Sequence, residues 1–101
     1  MNYQLIVQFS ELLIEDINCI AHLEEQLDEI LIDAEVDGHD IGSNEINIFI
    51  HTNHPIASFE EIKAHLSQNI GLETIKIVYR DIHDDQYIPL WPVDLRDFKV
   101  N

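Results

Sequence analysis

The sequence predicts an α+β domain, and three observations carry that prediction. Two stretches repeat apolar residues at helical spacing. Four shorter runs alternate apolar and polar residues with the period of two that a strand requires. Their order along the 101-residue chain is strand, helix, strand, strand, helix, strand.

The first strand is expected over Tyr3 to Phe9, with Tyr3, Leu5, Val7 and Phe9 on one face and Gln4, Ile6 and Gln8 on the other. A helix follows from about Glu15 to Ile32. Its apolar stripe is Leu13, Ile17, Ile20, Leu27 and Leu31, spaced by three, four and seven. Glu24, Glu25, Asp28 and Glu29 fill the other side with no basic residue to pair them, so this helix depends on packing. Ala34 to Ile41 reads as a second strand, and Gly42-Ser43-Asn44 as a turn. Glu45 to Thr52 is the clearest strand: Ile46, Ile48 and Ile50 take one face, and Glu45, Asn47, Phe49 and His51 the other.

Pro55 ends that strand. Ser58 with Glu61 three residues later has the form of a capping box. The helix expected from there has Phe59, Ile62 and Leu66 inward, and Ile70-Gly71 stops it. Glu73 to Asp81 alternates as a fourth strand, with Ile75, Ile77 and Tyr79 opposite Lys76, Val78 and Arg80. Residues 82–101 read as a C-terminal extension of a single 1–101 domain, packing on the sheet or its edge. A short edge segment is expected between Pro92 and Val100. Trp91, the single tryptophan, is expected to pack rather than to anchor an interface.

This order is the ferredoxin-like βαββαβ pattern. Right-handed crossovers put both helices on one face of a four-stranded antiparallel sheet, in the spatial order fourth, first, third, second. The opposite face is then left for a ligand, a second copy or the tail. A homodimer would use Ile6, Phe49 and Val78 there, since an uncovered face with such residues needs a cover.

Charge narrows the function. Twenty acidic residues oppose five basic ones, giving a formal charge of -15 and a pI near 4.3. Such a chain repels nucleic acid and anionic membranes and associates faster with basic surfaces. Hydrophobic residues make up 46% of it, too many for a disordered acidic tail. Cys19 is the only cysteine, which rules out an internal disulfide and a multi-cysteine zinc site and suits a reducing cytoplasm. No apolar run approaches the roughly 18 residues of a membrane span.

No Walker loop, dinucleotide-binding glycine motif or serine elbow is present, and Cys19 sits among apolar neighbours. No enzyme, cofactor or metal is therefore expected. The densest polar constellation is Asp37-Gly38-His39-Asp40-Ile41-Gly42-Ser43-Asn44-Glu45. Its spacing departs from an EF-hand loop, and turn chemistry accounts for most of it. As a recognition patch it offers Asp37, His39, Asp40 and Glu45 to a basic partner. Glu24, Glu25 and Asp28 form a second candidate surface. A different reading places a small anionic ligand or a metal on the open sheet face, among Asp37, His39, Asn47, His51 and Arg80. In that reading His39, Glu45 and His51 share the face.

The run Asp37 to Gly42, then Glu45 to Thr52, Pro55, Tyr79-Arg80 and Leu90-Trp91-Pro92 resembles a set of small bacterial proteins of unassigned function. It spans the second half of the chain, and its D-G-x-D-x-G core is short. By composition alone the chain is similar to bacterial immunity proteins and other toxin inhibitors, a trait shared with phage-encoded inhibitors that mimic nucleic-acid charge. That similarity implies carboxylates presented to a basic target, and no motif maps residue by residue.

Overall fold

The computed structural model describes residues 1–10, 17–42, 44–69, 71–72 and 75–98. Leu13, Glu15, Ser43, Ile70, Glu73 and Val100 lie outside these residues, as do the side chains of Ile17 and Cys19.

The elements are β1 (Tyr3–Ser10), α1 (Ile17–Ile30), β2 (Ala34–Ile41), β3 (Glu45–Thr52), α2 (Pro55–Asn69), β4 (Lys76–Asp81) and β5 (Ile88–Trp91). They form an α+β fold with one antiparallel sheet of five strands, not four, in the order β2-β3-β1-β4-β5. The fifth strand falls within the proline-bracketed segment Ile88–Trp91, upstream of the edge segment expected after Pro92. It pairs only with β4, so Pro89 sits on an edge strand, where a missing N–H is tolerated.

Residues opposite one another in an antiparallel pair point to the same face. Leu5 faces Ile50 and Tyr79, and Val7 faces Ile48 and Ile77. These side chains join Leu23, Leu27 and Leu31 of α1 and Phe59, Ile62 and Leu66 of α2 in one buried cluster. Both helices therefore pack on this face. Burial of the stripe holds α1, whose last turn carries no basic residue. Asp33, at φ 56°, turns the chain from α1 into β2 in the left-handed region that aspartate tolerates.

The second helix begins earlier than the capping-box reading places it. Pro55 opens α2, a position where its missing N–H costs nothing. Ser58 is already inside, its N–H donating to the His54 carbonyl at 2.9 Å. Its buried hydroxyl shares a 2.7 Å hydrogen bond with Thr52 Oγ1, which also accepts from the His54 N–H at 2.9 Å. Glu61, the other half of the expected box, instead accepts from the Ile32 N–H at 3.3 Å. At the other end, Gly71 at φ 97° donates its N–H to the Leu66 carbonyl at 2.7 Å and closes the helix.

The face away from the helices is not open at its centre. Ile6 and Val78, adjacent on β1 and β4, are both 0% exposed within the single chain. Tyr87, Pro89, Leu95, Arg96 and Phe98 surround a cavity against Val78, so the tail covers this part of the sheet as well as extending its edge. A dimer through Ile6, Phe49 and Val78 would first have to displace that cover.

Candidate functional site

A β-bulge decides which polar residues meet. Pairing of β2 with β3 runs Val36 to Ile50, then Gly38 to Phe49, so Asp37 is the extra residue. Gly38 has φ 149°, a region that side chains with a Cβ avoid. Beyond the bulge the alternation of β2 inverts. His39 now pairs with Ile48 and faces the helices, while Asp40 pairs with Asn47 on the other face. His39, Glu45 and His51 therefore do not share a face. His39 lies on the helix side, with its Nδ1 2.8 Å from Glu24 Oε1.

This inversion and the docking of α1 on β2 merge two surfaces that are separate in the sequence. Glu24, Glu25 and Asp28 of α1, with Asp37 of β2, line an open groove of about 320 Å³. Ala21, Val36 and Gly38 form the rest of its wall. Asp28 Oδ1 accepts from the Val36 N–H at 3.1 Å, satisfying a backbone donor on the sheet's edge strand. Asp37 Oδ2 lies 3.8 Å from His51 Nε2. Among the described residues no lysine or arginine lines the groove. Lys63 is held over Trp91, 4.6 Å from the ring centroid, and Arg80 is tied to a turn.

The other expected site residues lie elsewhere. Asp40 is exposed on the far face. Glu45 is on that face too, with Oε2 buried and without a hydrogen-bond partner. Asn47 is 0% exposed and accepts from Gln8 Nε2 at 3.0 Å. Arg80 Nε donates to Gln4 Oε1 at 2.9 Å, and its Nη1 donates to the Asp84 carbonyl at 2.9 Å. The set Asp37, His39, Asn47, His51 and Arg80 is thus divided between two faces, and its arginine holds the turn that follows β4. Among the described residues no group of three or more His, Cys, Asp or Glu side chains is placed to hold a metal ion.

Trp91 packs as expected: half-buried against the core, it donates its Nε1–H to the Leu72 carbonyl at 3.2 Å. Sequence reasoning did not anticipate Arg96, Tyr87 and Phe98, which meet over Val78. Their only signal was an aromatic residue at each end of the tail. Among the described residues no helix is long and apolar enough to cross a membrane. No protein-family model matches the chain, and no curated protein or solved structure matches it.

Proposed function

We propose that this protein is a non-enzymatic interaction domain that binds a basic protein partner in the groove between α1 and β2, in the manner of an immunity-type toxin inhibitor. The observation that carries the reading is the convergence of Glu24, Glu25, Asp28 and Asp37 on one open groove that, among the described residues, has no lysine or arginine in its lining. Carboxylates left uncompensated in a chain of charge -15 raise the encounter rate with a cationic surface and reject anionic ones. The hairpin residues Asp40 and Glu45 point away from this groove and have no part in it. His39 acts by orienting Glu24.

In this reading the first four strands and both helices make a ferredoxin-like core to which β5 is added. The single cysteine fits a cytoplasmic location. A small-ligand or metal site built from Asp37, His39, Asn47, His51 and Arg80 has no comparable support, because those side chains do not converge.

The test is affinity capture from host lysate at low salt with three baits: the wild-type chain, a Glu25→Lys/Asp37→Lys variant and an Asp84→Lys/Asp85→Lys control. A basic protein held by the wild type and the control, lost from the groove variant and released by a salt gradient supports the proposal. Equal capture by all three baits sinks it.

A further inference from the structure

Among the described residues Arg96 and Lys76 are the two basic side chains with no hydrogen bond, ion pair or ring contact. Five basic residues face twenty acidic ones, so each cation has many carboxylates to choose from. Yet among the described residues Arg96 has no hydrogen bond or ion pair. Asp94 and Asp97 flank it in sequence, and neither reaches ion-pair distance. Arg96 belongs instead to the lining of a half-open cavity of about 170 Å³, together with Val78, Tyr87, Pro89, Leu95 and Phe98. Tyr87 and Phe98 meet there edge to face, with ring centroids 5.2 Å apart.

We infer that this cavity binds a small aromatic carboxylate, with the ring against Tyr87, Phe98 and Val78 and the carboxylate on Arg96. Size, lining and charge each point the same way. In volume, a cavity of about 150 Å³ accommodates one benzene ring. Aromatic walls favour a flat ring in edge-to-face or offset contact. Arg96 supplies the one cationic side chain of the lining, a planar donor fork that matches a carboxylate with two parallel hydrogen bonds, and Tyr87 adds a phenol. The negative field of the chain opposes an anion at long range. At about 0.15 M salt it is screened beyond roughly 8 Å, and the local guanidinium then dominates. The site lies on the tail-covered face, away from the α1–β2 groove, and does not depend on what that groove binds.

The test is a nuclear magnetic resonance titration of the full chain at about 0.15 M salt with benzoate, benzamide and acetate. Benzoate should give saturable shifts at Val78, Tyr87, Leu95, Phe98 and the Arg96 side chain, with a dissociation constant of about a millimolar. Benzamide should bind about fivefold to tenfold more weakly, since it keeps the ring and loses the charge. Acetate, a head without a ring, should not saturate. Arg96→Gln, at an exposed position, should keep the spectrum of the folded chain and bring benzoate down to the affinity of benzamide. The inference is overturned if benzoate fails to saturate by about 20 mM, if benzoate and benzamide bind equally, or if Arg96→Gln leaves benzoate binding unchanged.

Discussion

Replacing Glu25 with lysine should make the protein more stable, because it relieves like-charge crowding on one helix face. Glu25 is exposed on α1, lines the groove and has no hydrogen bond or ion pair among the described residues. Asp28 stands three residues ahead of it and Glu29 four, so both are its neighbours on the helix surface. Like-charged pairs at these spacings each cost about 0.2–0.5 kcal/mol, and opposite pairs return a similar amount. Reversing one charge converts two repulsions into two attractions, a swing of about 0.8–2 kcal/mol before solvent screening. Exposure reduces this to about 1 kcal/mol at low salt. In a domain of this size that is roughly 4–8 °C in Tm. The assay is urea unfolding followed by circular dichroism, in about 0.02 M and about 1 M salt; at the higher value the Debye length is near 3 Å and most of the gain should vanish. A variant less stable than the parent at low salt, or a gain that persists at 1 M, would refute the account of α1 as a mutually repulsive acidic face. Should the capture experiment proposed above yield a basic partner, its loss from the same variant would show that this instability is retained for binding, as happens where stability and function compete.

Two further predictions concern the two edges of the sheet, one beside the groove at β2 and one at β5. Gly38→Ala should cost about 1–2 kcal/mol in urea unfolding. A Cβ there meets nothing within 4 Å, so only the strain of φ 149° opposes it; an unchanged midpoint would mean that the bulge does not need glycine. A double-mutant cycle on Lys63→Met and Trp91→Phe should give a coupling of about 0.5–1 kcal/mol, because the ammonium sits 4.6 Å from the indole centroid and ties α2 to β5. Strict additivity would show that the contact contributes nothing.

What the sequence made legible was whatever repeats locally. The bounds of β2 and β3, and the faces of Ile46, Ile48 and Ile50 against Asn47, Phe49 and His51, follow from a period of two that each strand carries by itself. The inward residues of α2, Phe59, Ile62 and Leu66, follow in the same way from helical spacing. The start of α2 was misplaced because Ser58 and Glu61 imitate a capping box, while Pro55 carried the better signal.

The site was less legible, because it depends on register and on contacts between distant segments. Composition and the runs at Glu24–Asp28 and Asp37–Glu45 identified the acidic character and named the carboxylates that line the groove together with some that do not, and local pattern went no further. One extra residue at Asp37 inverts every later side chain of β2, which sends His39 to Glu24 and Asp40 to the opposite face. Ala34 to Ile41 alternates too weakly to reveal that slip. Likewise, nothing near Ile6 or Val78 in sequence indicates that residues 87–98 cover them. The sequence by itself determined the first four strands, the two helices, the core face and the charge, since these are properties of short windows and of totals. Only the tertiary structure decided which carboxylates converge and which arginine remains unpaired, because register, bulge and tail docking are set by packing between residues far apart in the chain.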